Sequence, residues 1–221
     1  MDLIKKGTRI LCLSPHPDDV EFGLGATLSK YRGDYEGRLV VFSDRSRSRG
    51  EVNNDRDQIS AAKAIGFHEE DVKFVDQLGY GVERLPNRFF AMDENRDAIR
   101  MVVTRLTNEF KPDIIFVPSL KETMQDHQAI AEEVVRVIRG KATILGYEVP
   151  KHHRFFRPQV FVNISDEDIK AKMTALSAFS EFTTTYYFQE DVIKSQARLR
   201  ALDAGYFGYA EAFELYGMFI S

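Results

Sequence analysis

Leu11-Cys12-Leu13-Ser14-Pro15-His16-Pro17-Asp18-Asp19-Val20-Glu21 is the stretch on which the reading of this chain turns. An apolar run ends there and a cluster of metal-ligating side chains begins. Thr8 to Leu13 is short, β-branched and apolar, and is bounded by Gly7 and the prolines, which suits a buried strand better than a helix. Pro15 and Pro17 remove backbone donors and hold the residues before them extended, so His16 falls in a fixed, non-helical turn. That turn lies just past the strand's carboxyl end, where open α/β sheets place their chemistry.

His16 and Asp19 are three residues apart and can converge on one point, with Asp18 directed elsewhere. An imidazole and a carboxylate make up two thirds of a three-ligand catalytic zinc site. The plainer alternative is a polar loop in which Asp18 or Asp19 caps the helix that follows. A third ligand is offered downstream. Asp113 to Val117, set between Pro112 and Pro118, repeats the buried-strand pattern. It is followed by Gln125-Asp126-His127, which opens a helical pattern of Ala129, Ile130, Val134, Val135, Val137 and Ile138. If the two strands are parallel neighbours, His127 shares a rim with His16; read alone, it is a capping or surface histidine.

Ser14 to Glu21, with Gly23, Gly25 and Thr27-Leu28, resembles the first motif of the PIG-L/LmbE-like family of zinc-dependent N-deacetylases. Asp126-His127 resembles the end of that family's second motif, His-x-Asp-His, and Tyr209-Ala210-Glu211-Ala212-Phe213-Glu214 resembles a third signature. The likeness spans nearly the whole chain. It implies that His16, Asp19 and His127 hold Zn²⁺, that Asp18 is the general base, and that Asp126 takes part in catalysis. The donor set alone does not separate zinc from other divalent ions. One position departs from the pattern: Met124 stands where the motif has its first histidine, an imidazole that in the family helps stabilise the tetrahedral intermediate. The expected zinc ligands are untouched, but a thioether donates no hydrogen bond.

At 221 residues the chain can bury a sizeable core as one domain over residues 1–221. Strands alternating with helices predict a Rossmann-like, doubly wound, mostly parallel sheet with helices on both faces. Lys plus Arg number 30 against 34 Asp plus Glu, a net charge of −4, which argues against a nucleic-acid partner. Cys12, the lone cysteine, sits in the first strand as a core thiol. Lys5-Lys6 are followed by no long apolar stretch, so neither a leader nor a membrane span is expected, and the cytoplasm is the default location.

Along the chain, Phe22 to Tyr31 reads as a helix, Arg38 to Phe42 as a strand, Asp55 to Ile65 as a helix, and Asp71 to Val75 as a strand. A long loop from Asp76 to Phe90 precedes a helix over Asp93 to Phe110. Thr143 to Tyr147 and Gln159 to Ile164 read as strands, an acidic helix opens at Ser165 to Asp168, and Glu190 to Ala204 is a helix stopped by Gly205. Gly23-x-Gly25 is a weak dinucleotide signal, because it lacks a third glycine and His-Pro-Asp-Asp fills the phosphate turn. Arg45, Arg47 and Arg49 alternate with serines in a loop on the ligand side, and Arg49 is a candidate substrate contact through its guanidinium. Arg56 matches a substrate-contacting arginine carried by many members of the family. His152 and His153, in the proline-bounded loop from Glu148 to Pro158, are candidates that could cross the same rim.

The resemblance thus implies hydrolytic removal of an N-acetyl or similar acyl group from an amino sugar or sugar-nucleotide substrate. The alternative is a disabled relative that binds a sugar or a metal, with Met124 as its mark. Self-association into a homo-oligomer stays open.

Overall fold

A computed structural model describes residues 2–44, 54–85, 91–138, 140–152, 155–179 and 185–219. The strands among them are β1 (Thr8–Ser14), β2 (Tyr35–Val41), β3 (Val72–Phe74), β4 (Ile114–Pro118), β5 (Thr143–Tyr147), β6 (Val160–Ile164) and β7 (Tyr209–Gly217). They form one sheet in the order β3-β2-β1-β4-β5-β7-β6. The helices are α1 (Asp19–Lys30), α2 (Asn54–Ala64), α3 (Ala91–Glu94), α4 (Arg96–Phe110), α5 (Gln125–Val137), α6 (Asp166–Ser177) and α7 (Glu190–Asp203).

The sheet is doubly wound and mostly parallel, as the sequence predicts. β1 pairs in parallel with β2 on one side and with β4 on the other, with Cys12 opposite both Leu39 and Phe116. The chain therefore leaves β1 in one direction and β4 in the other, and the crevice between their carboxyl ends lies at the switch point. Alternation along β1 feeds two cores. Ile10 and Cys12 pack with α1, α2, α6 and α7 residues such as Leu24, Ala61, Ile169 and Ile193. Leu11 and Leu13 face the opposite layer with Val102, Leu106, Ile130 and Val134 of α4 and α5. With both faces buried, the central strands need a continuous apolar run rather than alternating polarity. Burial pushes the Cys12 thiol well up, aided by the Glu21 carboxylate, so it is an inert core group.

β7 was not expected as a strand. It runs antiparallel between β5 and β6, and its aromatic and acidic composition hides the usual alternation because both faces make specific contacts. Gly23 proves to be a packing residue and not part of a nucleotide loop: a Cβ there would lie 2.3 Å from the Tyr147 ring, so glycine lets α1 settle on β5.

Candidate active site

The turn after β1 is locked before any ligand arrives. Ser14 Oγ donates to the His16 carbonyl at 2.6 Å, and the Pro15 carbonyl accepts from both the backbone and the hydroxyl of Ser43. Asp18 then takes a left-handed conformation, φ 95° and ψ −26°, at the N-cap of α1. A non-glycine residue there costs about 1–3 kcal/mol, a strain that surrounding contacts must hold in place. Asp18 is itself largely buried.

His16 and Asp19 from this turn meet His127 from the first turn of α5. One ligand atom from each lies within 4.8 Å of the others, and all three residues are buried. Asp19 Oδ2 is 3.3 Å from His16 Nδ1 and 3.2 Å from His127 Nε2, and it also accepts the His16 backbone N–H at 2.9 Å. The two ring nitrogens are themselves 3.2 Å apart. Each imidazole is held from behind by a carboxylate: His16 Nε2 lies 3.3 Å from Asp126 Oδ2, and His127 Nδ1 pairs with Glu122. Set against these carboxylates, each ring can turn a lone pair toward the shared point, the carboxylate–histidine arrangement that fixes metal-ligating histidines. The donor set therefore fits a divalent cation.

The electrostatics agree with that fit. Burial alone would lower the pKa of His16, but hydrogen bonds to Asp126 and Asp19 outweigh it and raise it. His127 is driven well up against its own burial by Asp19 and Glu122. Burial works to raise Asp19, yet His127 and His16 hold it well below the usual carboxylate range. A cation bound among these groups would have to displace any proton from the imidazoles, so its uptake would depend on pH.

The other expected residues divide. Asp126 accepts the backbone N–H of Met92 at 3.2 Å and faces His16 Nε2 at 3.3 Å. Met124 is half-buried at the N-cap of α5. His152 stands on the rim: its ring is edge-on to His127, with centroids 5.5 Å apart. Burial, followed by the positive His127 and Lys151, pushes its pKa down to about 3, so its imidazole is neutral. Arg56 is exposed on α2 and lines a concavity with Ile59, Ser60, Lys63 and Glu69, not with the histidine cluster. Arg45, Arg47, Arg49 and His153 lie outside the described residues.

Sequence reading missed Glu122, which sits in an irregular stretch after β4 with no periodic signal. It also missed Lys151 and Tyr187. Lys151 Nζ donates to the Tyr187 hydroxyl at 3.3 Å and lies 4.6 Å from that ring's centre. Burial would lower the Lys151 pKa, but the charges of Asp18 and other neighbours raise it, which ties the ammonium to the site's field.

The third signature braces both halves of the site. α1 leaves helical geometry at Leu24, φ −145° and ψ 16°. Just past the break, the N–H groups of Ala26 and Thr27 donate to Glu211 at 3.2 and 2.6 Å, and Lys172 Nζ closes on the same carboxylate at 2.7 Å. Glu214 accepts from Ser119 Oγ at 2.6 Å and from the Arg157 N–H at 3.0 Å, tying β7 to the loop that leads to His127.

The profile of the PIG-L family, described as GlcNAc-PI de-N-acetylase, matches residues 11–138, more than half of the chain and both rims of this site. The chain belongs to the PIG-L family. This PIG-L protein is similar to the uncharacterized deacetylase YaiS of Escherichia coli (strain K12), with 26% identity over 170 residues, covering 76% of this chain and 88% of that one. Among solved structures it resembles N,N'-diacetylchitobiose deacetylase from Pyrococcus horikoshii, with a TM-score of 0.64 and 19% identity over 94% of this chain and 83% of that chain. It also resembles GalB, the 4-carboxy-2-hydroxymuconate hydratase from Pseudomonas putida KT2440, with a TM-score of 0.66 and 16% identity over 97% and 98% of the two chains. At these identities the likeness establishes the fold. Because that fold carries both a deacetylase and a hydratase, the reaction has to be argued from side chains. Among the described residues, no helix is long and apolar enough to cross a membrane.

Proposed function

We propose that this PIG-L protein is a metal-dependent N-deacylase that removes an acetyl or similar acyl group from an amino sugar or sugar conjugate. The observation that carries the reading is the convergence of His16, Asp19 and His127 on one point, with Asp18 at the head of the helix that carries Asp19. Two imidazoles and a carboxylate suit zinc, with other divalent ions as competitors. Bound there, such an ion supplies Lewis acidity, polarising an amide carbonyl and making water acidic near neutral pH. Asp18 takes the proton from the attacking water and returns it to the departing nitrogen, so that water and amide become carboxylic acid and amine. Asp126 and Glu122 keep the two imidazoles in the tautomers that face the cluster. Membership of a family described by GlcNAc-PI de-N-acetylation, and the likeness to a chitobiose deacetylase, favour an N-acetylated sugar as substrate.

The test is metal analysis of protein purified without chelators, paired with amine release from N-acetylglucosamine derivatives, including sugar nucleotides. Asp18→Asn should keep the metal and lose about 10²–10⁴-fold in turnover. Wild-type rates in that variant remove Asp18 from the mechanism. Failure of the wild type to take up stoichiometric zinc removes the metal. One observation favours a second reading, a disabled relative that binds sugar or metal: Met124 heads α5, three residues before His127, with a side chain that donates no hydrogen bond.

A further inference from the structure

We infer that His152 supplies the hydrogen bond to the acyl oxygen of the substrate, the contribution that Met124 is unable to make. The inference rests on the deacylation reading above. Attack on an amide turns its carbonyl oxygen into an oxyanion, and one well-placed donor to that atom is worth about 10²–10³ in kcat. The site's other rings are committed. His16 and His127 each turn one nitrogen to the cluster and the other to Asp126 or Glu122. Ionised carboxylates only accept. Lys151 gives one of its three N–H groups to the Tyr187 hydroxyl and is the competing donor that the Lys151→Met variant below tests.

His152 differs on each count. Its backbone is pinned next to position 124, because the His152 carbonyl accepts from Thr123 N at 3.0 Å and from Thr123 Oγ1 at 3.2 Å. Its own N–H donates to the Val149 carbonyl at 2.9 Å, closing the short 3₁₀ turn Pro150–His152. The ring stands edge-on to His127, centroids 5.5 Å apart, and is half-buried. Among the described residues neither ring nitrogen has a hydrogen-bond partner. An imidazole carries at least one N–H donor in either protonation state. Thus a donor held by a loop after β5 stands beside the ligand whose own helix begins with a thioether.

The experiment compares wild type, His152→Ala, His152→Gln and Lys151→Met, each assayed for zinc content, for kcat and KM on an N-acetyl amino sugar, and for calorimetric affinity toward a methylphosphonate analogue of the tetrahedral intermediate. His152→Ala should keep its zinc, lose about 10²-fold in kcat with KM changed by less than about threefold, and bind the phosphonate weaker by a comparable factor. His152→Gln, which retains a donor, should recover part of both. The inference is overturned if His152→Ala binds the phosphonate like wild type, if it loses zinc, or if Lys151→Met carries the loss instead. Phosphonate binding that depends on His152 in a wild type that hydrolyses no amide would sink the deacylation reading and leave the donor assignment standing. Normal hydrolysis with His152-independent phosphonate binding would do the reverse.

Discussion

Two buried charged clusters grip α1, and they are built differently. At its start, Asp19, Glu122 and Asp126 are paired with the imidazoles of His16 and His127. Farther along, Glu211 faces the Lys172 ammonium and Glu148 faces the Arg200 guanidinium, each carboxylate with a cation of its own. Buried charge costs several kcal/mol per ion unless it is paired, so both arrangements need compensation. The second cluster is complete as it stands and ties α6 to β7 and α7 to the end of β5. The first sets three carboxylates against two imidazoles, side chains that can also hold a cation. The difference separates a brace from a candidate metal site without reference to any relative.

That contrast breaks most easily by exchanging the consequences of mutation. His127→Ala should strip zinc at modest chelator concentrations, whereas Lys172→Met should leave zinc stoichiometry unchanged. Lys172→Met strands the Glu211 carboxylate, and removing one partner of a buried pair costs about 3–5 kcal/mol, which for a chain of this size lowers Tm by about 6–20 °C. Metal analysis and thermal melts of the two variants decide it. Zinc retained by His127→Ala, or lost from Lys172→Met, would dissolve the distinction.

A finer division runs inside the first cluster, between the groups that face the shared point and those behind them. Glu122→Gln keeps the size of the side chain but not the charge that orients His127. Metal affinity should fall about 10–100-fold, as is usual when such a supporting carboxylate is changed. Competition with a chromophoric chelator measures it. An unchanged affinity would mean that helix α5 alone positions His127.

How far the sequence reveals this arrangement depends on the kind of signal each part leaves. The central strands announce themselves because burial on both faces demands unbroken apolar runs, as in Leu11 to Leu13 and Ile114 to Val117. Doubly wound order follows from alternation, which brings His16 and His127 to one crevice. β7 escapes notice because Glu211 and Glu214 occupy strand positions where polar groups reach the α1 break and the loop at Ser119. Glu122 and Lys151 lie in short irregular turns, where a side chain's partner is set by tertiary contacts and no periodicity marks it. Asp126 is visible in the motif, but its partner is not: only the packed structure shows it behind His16.

Glu21 offers the gentlest test, because it embodies a third way of burying a carboxyl. It is fully buried between the two clusters and accepts from Gln58 Nε2 at 2.5 Å. Burial first, and then the charges of Asp18 and Asp19, push its pKa up to about 8 from an ordinary value of 4.5. Between those values the folded protein keeps the proton and the unfolded chain has lost it, so stability falls as pH rises and levels off above about 8. The slope is about 1.4 kcal/mol per pH unit. His16 and His127, whose pKa values are raised, add a loss of the same sign in metal-free protein, but only above the ordinary histidine value of 6.5. Asp19, with its pKa lowered, matters only in more acid solution. His152, its pKa pushed down to about 3, works with the opposite sign in the same range but is common to both proteins, so the difference between wild type and Glu21→Gln in urea unfolding of metal-free protein isolates Glu21: between about pH 5 and 6.5 the wild type should lose about 2 kcal/mol relative to the variant. Parallel curves for the two proteins would show that Glu21 ionises normally, and the carboxyls at the head of α1 would then share one charged cluster.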